Sequence, residues 1–383
     1  MKLFNCTHCA NIVYFENSSC ESCGNRLGYD SGTDTMVALA PDGDAWMALR
    51  AAGGHYRFCE NARHDVCNWL LPVESGMESP PPGNATETAG QLCVSCRHNQ
   101  LIPNLSIENN VLLWRKLESA RHHLFYDLLR LGLPLTTRAE QPESGLAFKF
   151  LDDDPSGTNG PVLTGHDEGV ITINLAEADD AVREQRRAQM GEPYRTLLGH
   201  FRHEIGHYYW DRLVRDTGRL EGFRALFGDE RRDYNEALKQ YYAHGPLDRW
   251  WENFISAYAT SHPWEDFAET WAHYFHIVDT LEMASAYGLR VNPALAVTGA
   301  HAAEVDVDPH RAEDIGQLVR RWMPISAAVN SINRCMGQPD LYPFVLTAPV
   351  ITRLGFVHDL IHGKNAPAGE PLTAAGIEAE PVA

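Results

Sequence analysis

Apolar side chains recur every three to four residues in several C-terminal stretches, which is the spacing of one face of a helix. This pattern predicts a long helix over 106–132, a second over 193–214 and a third over 264–287. A shorter and more charged helix is predicted over 179–190. Pro193 is expected in the first turn of the second helix, because the backbone N–H that proline lacks would have no hydrogen-bond partner within the helix at that position. The C-terminal part of the chain is therefore predicted to be mostly helical.

Alternating apolar and polar residues, which are typical of half-buried strands, occur earlier in the chain. They predict strands joined by turns over 35–58 and further strands over 146–151 and 169–175. The stretch 74–90 is rich in Pro, Gly and Thr and is expected to form a flexible surface loop. The end of the chain, 363–383, is small, polar and Pro-rich, and we expect it to be disordered. Small β modules followed by helices place the fold in the α+β class.

The composition is that of an ordinary globular protein, with 44% hydrophobic and 22% charged residues. A length of 383 residues predicts one to three domains. The net charge of −19 repels the phosphate backbone of nucleic acids. The N-terminal residues 1–28 carry no net charge and so provide no basic patch, and nucleic-acid binding is therefore not expected. The first residues lack an apolar signal-peptide core, and no apolar run is long enough to span a bilayer. A cytoplasmic location without membrane attachment is therefore expected.

Four cysteines near the N-terminus follow the spacing CxxC-x10-CxxC. Each CxxC pair can lie on a tight turn that presents two thiolates to one ion, and four thiolates fill every position of a tetrahedral zinc site. Such a site has no open position for a substrate, so its role is structural. In a thiol-reducing compartment, paired cysteines indicate metal rather than disulfides. The ligands of this first predicted structural zinc site are Cys6, Cys9, Cys20 and Cys23.

Four further cysteines are spaced less regularly, and only the last two form a CxxC pair. We interpret the four as a second structural zinc site, with His64 and His98 as alternative candidates for one ligand position. The ninth cysteine, Cys335, is expected to be a buried small hydrophobic residue. The ligands predicted for the second site are Cys59, Cys67, Cys93 and Cys96.

The predicted helix over 193–214 contains an HExxH motif formed by His203, Glu204 and His207. Two histidines four residues apart lie on the same helical face and can bind one metal ion. Glu204 stands beside them, where it can take a proton from a water bound to the metal. The motif therefore predicts a catalytic zinc site, provided that a third ligand follows later in the chain.

Two downstream glutamates are candidates for that third ligand. Glu265 and Glu269 lie four residues apart on one face of the predicted helix that follows Pro263. A catalytic zinc takes three protein ligands and keeps one position open, and His-His-Glu is a standard set. We choose Glu265 as the ligand and Glu269 as the residue that orients a liganding histidine, while the reverse assignment stays open.

The motif YxxxxxxExFAE over 258–269, combined with the earlier HExxH, resembles the gluzincin branch of zinc metallopeptidases, such as the peptidase domain of anthrax lethal factor. The resemblance implies that Glu265 binds zinc and that Tyr258 stabilises the reacting carbonyl. It also implies that the strand over 169–175 is the sheet edge that holds an extended peptide. Nearly all of the chain before the tail resembles bacterial zinc-binding metallopeptidases with an N-terminal zinc-ribbon region.

The sequence thus predicts a zinc metallopeptidase that hydrolyses peptide bonds with Glu204 as general base and binds about three zinc ions, one catalytic and two structural. Its expected partner is a peptide or protein substrate, and the zinc-ribbon region offers a surface for a protein partner. The alternative is a zinc-ribbon adaptor with an inactive peptidase-like domain, but such a protein has no need of the base. The predicted domains are a zinc ribbon over 1–30, a second zinc-binding β-rich module over 31–105, a zincin-like metallopeptidase domain over 106–362 and the tail over 363–383.

Overall fold

The computed structural model describes residues 2–50, 54–73, 91–153, 162–295 and 301–364. The chain folds into two compact units. Unit 1 comprises residues 1–129 and 134–186, and unit 2 comprises residues 130–133 and 187–383. The predicted loop over 74–90 and most of the predicted tail lie outside the described residues. The boundaries of the four predicted domains stay predictions.

The first part of unit 1 is built from short antiparallel strands. A hairpin of β1 (Phe4–Asn5) and β2 (Ile12–Val13) precedes a five-stranded antiparallel sheet in which each strand pairs with the next. The alternation predicted over 35–58 is confirmed, because three of the five strands fall within it. The strands of this sheet are β3 (Arg26–Asp30), β4 (Thr35–Asp42), β5 (Ala45–Ala48), β6 (His55–Phe58) and β7 (Leu70–Val73).

The second sheet of unit 1 shows that the prediction of an edge strand over 169–175 was wrong. Its strand order is β10-β11-β9-β8, with β9 parallel to both of its neighbours. The strand predicted to be the edge, β11, is therefore paired on both sides, and the edge is β10, which joins it antiparallel. The sequence of β10 is only Gly-His-Asp, so no alternation signals it. The strands are β8 (Asn99–Leu101), β9 (Ala147–Leu151), β10 (Gly165–Asp167) and β11 (Val170–Asn174).

Unit 1 also contains the long helix α1 (Glu108–Arg130), followed after the second sheet by α2 (Asp180–Met190), which crosses into unit 2. The predicted apolar face of α1 is buried, as Trp114 and Leu117 illustrate. Its buried face also carries charged and polar residues that the apolar pattern does not predict, namely Glu118, Arg121, His122 and Asp127.

The regular elements of unit 2 in the described residues are mostly helices, together with one two-stranded ribbon, so the predicted α+β class is confirmed. None of the described helices is both long and apolar enough to cross a membrane. Cys335, predicted to be buried, is instead exposed, because it is the last residue of a helix. The elements are α3 (Leu197–Leu213), α4 (Leu220–Phe227), α5 (Tyr234–His244), α6 (Pro263–Ala286), β12 (Arg290–Val291), β13 (Ala303–Glu304), α7 (Ile315–Cys335) and α8 (Ala348–Ile361).

The helix that carries HExxH begins four residues later than predicted. Pro193 therefore lies before the helix rather than in its first turn. Thr196 caps α3, because its side chain accepts a hydrogen bond from the backbone N–H of Gly199 at 3.0 Å. This bond satisfies one of the unpaired N–H groups of the first turn. The rest of α3 follows the prediction to within one residue, and the HExxH motif lies near its middle.

Close packing of α3 on α6 is made possible by Gly206, inside the HExxH motif. A Cβ atom on Gly206 would lie 3.0 Å from the Cα of Ala268 and 3.2 Å from the Cβ of Trp271. Even an added methyl group would require a shift of a few tenths of an ångström, and the nearest atom belongs to the backbone, which cannot move aside as a flexible side chain can. This contact sets α3 beside the turns of α6 that carry Glu265 and Glu269.

Candidate metal centres

Three side chains from α3 and α6 converge on one point in unit 2. The Nε2 atoms of His203 and His207 lie 2.9 Å and 3.6 Å from Oε2 of Glu265. These nitrogen and oxygen atoms all lie within 4.8 Å of one another. Glu265 is only 1% exposed. Burying its carboxylate charge carries a large desolvation free energy unless a cation compensates the charge. The three residues are the ones predicted from the motifs.

The spacing of these atoms fits a zinc ion. Around a tetrahedral ion with bonds of about 2.0–2.1 Å, ligand atoms lie about 3.3 Å apart. The two measured separations lie within about 0.4 Å of that value. The donor set of two imidazole nitrogens and one carboxylate oxygen is that of a catalytic zinc, and it leaves a fourth position open. His203, His207 and Glu265 therefore fit as zinc ligands.

Glu269 lies on the opposite side of the His203 ring from Glu265. Its Oε1 is 2.7 Å from Nδ1 of His203, and its Oε2 accepts a hydrogen bond from the hydroxyl of Ser256 at 2.6 Å. Such a carboxylate fixes the tautomer and the orientation of a liganding histidine. The structure thus brings Glu265, and not Glu269, together with both Nε2 atoms.

Tyr234 on α5 is a site residue that the sequence reasoning missed. Its hydroxyl donates a hydrogen bond to Oε1 of Glu265 at 2.6 Å, so the two carboxylate oxygens face different partners. Burial, reinforced by the negative charge of Glu265, raises the pKa of Tyr234 well above its ordinary value and keeps the phenol protonated. Tyr234 lies 31 residues before Glu265 and outside any motif, so no local pattern indicates the contact.

The electrostatics of the site follow from its burial. Burial raises the pKa of Glu204, although the two histidines act in the opposite direction. For His203, burial lowers the pKa, but the hydrogen bonds with Glu265 and Glu269 raise it well above its ordinary value. For Glu265, burial raises the pKa, yet His207 and His203 hold it well below the usual range. Metal binding needs the neutral form of His203, so it must release a proton.

Tyr258 lies in a short 3-10 turn, Tyr258–Thr260, just before α6. Its ring centroid is 6.0 Å from that of His203 and 5.6 Å from that of Tyr241 on α5. Burial, together with the nearby acidic groups, raises the pKa of Tyr258 well above its ordinary value. The phenol therefore keeps its proton and can act as a hydrogen-bond donor beside the histidines.

The first cysteine group has the geometry of a closed site. The Sγ atoms of Cys6 and Cys23 are 3.8 Å apart, and those of Cys9 and Cys20 are 3.6 Å apart. With zinc–sulfur bonds of about 2.3 Å, tetrahedral geometry puts sulfur atoms about 3.8 Å apart. All four sulfurs lie within 4.8 Å of one another, and Cys9 is exposed. The four residues fit a structural zinc near the surface.

The second cysteine group has the same internal geometry but is buried. The Sγ atoms of Cys67 and Cys93 are 3.8 Å apart, and all four sulfurs lie within 4.8 Å of one another. The predicted alternatives lie outside this group. His98 is hydrogen-bonded to the backbone oxygens of Val94 and Leu135, and His64 packs against Trp114. The four buried sulfurs, which fit a second structural zinc, belong to Cys59, Cys67, Cys93 and Cys96.

Two residues of α1 contact the second group, and the sequence reasoning missed this. Arg121 donates to Sγ of Cys96 at 3.6 Å and forms an ion pair with Glu118, while Nε2 of His122 lies 3.8 Å from the same sulfur. Arg121 and Glu118 are both fully buried. A zinc ion with four thiolates carries a net charge of −2, which buried cations and N–H donors stabilise. His122 is thus part of the surroundings of this site.

Comparison with known proteins gives two family matches, and both involve zinc. Residues 3–107 match a zinc-ribbon domain, and residues 110–360 match a family described as "Putative zinc-binding metallo-peptidase". Uncharacterized proteins of Mycobacterium tuberculosis and Mycobacterium bovis are 39% identical over 372 residues, which is 97% of this chain and 98% of theirs. No solved structure matches the chain. Since the second match covers more than half of its length, the chain belongs to this zinc-binding metallopeptidase family and carries a zinc-ribbon domain before the peptidase region.

Proposed function

We propose that the chain is a zinc-dependent peptidase of the gluzincin type that hydrolyses peptide bonds in a peptide or protein substrate. One observation supports this most strongly: two histidines and a glutamate from α3 and α6 converge, with Glu204 in the turn between the histidines. A zinc ion bound there would supply Lewis acidity toward a water molecule and the scissile carbonyl. The remaining steps are performed by side chains.

Each side chain has a separate task in this proposal. Glu204 accepts the proton of the attacking water at a carboxylate oxygen and passes it to the nitrogen of the leaving amine. Its raised pKa makes Glu204 a stronger base toward the attacking water than an ordinary glutamate. Tyr258 donates its phenolic proton in a hydrogen bond to the carbonyl oxygen as negative charge develops there. Glu269 and Tyr234 keep His203 and Glu265 in place.

The two cysteine groups complete the proposal with two structural zinc ions, so the chain binds about three. Eight free thiols held at metal-binding distances favour a reducing compartment, for which we propose the cytoplasm. We also propose that the zinc-ribbon region provides the surface for any protein partner.

The test is cleavage of a peptide library by the zinc-loaded chain, read by mass spectrometry. We expect products that disappear when a chelator removes the metal and return when zinc is added back. A zinc-loaded, folded chain that cleaves no peptide in the library would contradict the proposed activity, and the adaptor alternative would then be preferred.

Tyr234→Phe is expected to weaken zinc binding at the catalytic site by about 10- to 100-fold, since outer partners of metal ligands typically contribute that much. The ring stays in place, so the loss comes from the hydrogen bond to Glu265. Competition with a chromophoric chelator measures the affinity. Tyr241→Phe is the matched control on the same helix, and it should leave zinc affinity unchanged. Equal affinities in the two variants would show that Tyr234 does not position Glu265.

A further inference from the structure

A cavity of about 260 Å³ lies between the two helices that carry the predicted metal ligands and helix α7. Most of the side chains that line it are apolar or aromatic. Trp322, Tyr342 and Phe344 form a continuous aromatic wall, with ring centroids 4.9 Å and 5.2 Å apart along the series. Leu341, 56% exposed, lies at the mouth of the cavity. The cavity therefore offers an apolar binding surface that can be reached from solvent.

The charged groups in this cavity neutralise one another. Nη2 of Arg202 donates to Oδ2 of Asp279 at 2.7 Å, and Nη1 of the same residue is 2.8 Å from Nδ1 of His276. Burial and the neighbouring guanidinium hold the pKa of His276 well below its usual range, so this histidine is neutral. A ligand with a net charge would have to break the ion pair, whereas an apolar group gains its affinity from burial alone.

The cavity is lined by the same two helices that carry the metal ligands, although none of the ligands lines it. Gly199 precedes His203 by four residues, a rise of about 6 Å along the helix. A Cβ atom on Gly199 would lie 3.3 Å from Tyr194 and 3.8 Å from Nε2 of His276, both of which line the cavity. From α6, His273 lies one turn beyond Glu269, and its Nδ1 is 2.8 Å from the hydroxyl of Tyr342 in the aromatic wall. The same two helices therefore hold both the metal ligands and one wall of the cavity.

The size of the cavity indicates the kind of group that it receives. Sites that enclose a whole drug-sized molecule have volumes of about 300–1,000 Å³. A volume of about 260 Å³ is below that range and suits one large side chain. Successive residues of an extended peptide are about 3.3–3.6 Å apart, so a peptide covers the rise of about 6 Å between His203 and Gly199 with about two residues.

We infer that this cavity is the specificity pocket of the peptidase and binds a bulky apolar or aromatic side chain at one fixed position within about two residues of the scissile bond. This assignment rests on the proposed peptidase function. The substrates are then peptides with Phe, Leu, Tyr or a similar residue at that position. Val329 and Ser326 of α7, at the wall opposite α3 and α6, limit how large the side chain can be.

The test is the cleavage preference of the zinc-loaded chain on a positional peptide library. We expect at least a ~10-fold preference in kcat/KM for a large apolar residue over Ala at one position, the size of effect that an apolar pocket typically gives. Val329→Trp fills the cavity and should remove this preference or shift it toward small residues. Met323→Trp is the matched control, because Met323 lies on the same helix, is 47% exposed and does not line the cavity. It should keep the wild-type preference.

The outcomes separate the two proposals. Zinc-dependent cleavage with no large apolar preference, or with the same preference in folded Val329→Trp, would overturn the pocket alone. No zinc-dependent cleavage by the wild-type chain would overturn the proposed function and the pocket with it. If Val329→Trp does not fold, Leu341→Glu at the exposed mouth provides the second variant, since a charge there opposes entry of an apolar side chain. It should lower the preference without changing zinc content.

Discussion

Glu204→Gln is expected to lower kcat for peptide hydrolysis by about 10²–10⁴-fold, the contribution typical of a positioned general acid–base group. Gln has nearly the shape of Glu but cannot accept and return a proton. Glu204 is not among the three proposed zinc ligands, so the zinc content should stay at the wild-type value. Initial rates on a cleaved peptide, together with zinc analysis by plasma mass spectrometry, measure both quantities.

Glu221→Gln is the matched control for this change, because Glu221 is an exposed residue of α4 far in sequence from the motif. It should hydrolyse the same peptide at the wild-type rate. A Glu204→Gln chain that keeps its zinc and also keeps the wild-type rate would show that Glu204 is not the base.

Cys67→Ser is expected to remove one zinc ion per chain and to lower the midpoint of thermal unfolding. Cys67 is one of four buried sulfurs, and a structural zinc site contributes on the order of 10–16 kcal/mol of binding free energy that exists only in the folded state. The loss of even about 3 kcal/mol lowers the midpoint by roughly 6–12 °C in a unit of this size. Calorimetry and zinc analysis of the same sample measure the two effects.

The exposed cysteine at the end of α7 supplies the control for Cys67→Ser. Cys335→Ser changes the same side-chain type at a position that belongs to neither cysteine group. It should leave both zinc content and midpoint unchanged. An unchanged midpoint in Cys67→Ser, with three zinc ions still bound, would contradict a structural role for the second group.

The parts of the site that could be predicted from sequence are those encoded over a few residues. The helical repeat alone places His203 and His207 on one face, and the same repeat sets Glu265 and Glu269 one turn apart. The CxxC spacings likewise indicate pairs of thiolates, because two cysteines three residues apart fit on one tight turn. The prediction that α3 begins at Pro193 was wrong. The helix begins after Thr196, because the Thr196 hydroxyl accepts a hydrogen bond from the N–H of Gly199 and so caps the first turn.

What the sequence could not predict depends on contacts between distant segments. Tyr234 reaches Glu265 across 31 residues, and Arg121 reaches Cys96 across 25. Neither Tyr234 nor Arg121 belongs to a motif. A single buried arginine or tyrosine also does not produce a recognisable hydrophobic periodicity in the sequence. The edge position of β11 was mispredicted for a different reason: the short β10, which makes β11 an inner strand, consists of three polar or small residues that show no strand pattern.

The decisive measurement for the proposed catalytic zinc site is the zinc content per chain of the wild type and of Glu265→Ala. It is made after exhaustive dialysis, and peptide hydrolysis is assayed on the same samples. We expect about three zinc ions in the wild type, about two in the variant with the fold retained, and loss of hydrolysis along with the third ion. About two ions in both proteins would contradict this expectation, because either Glu265 would not be a ligand or the HExxH motif would hold no metal.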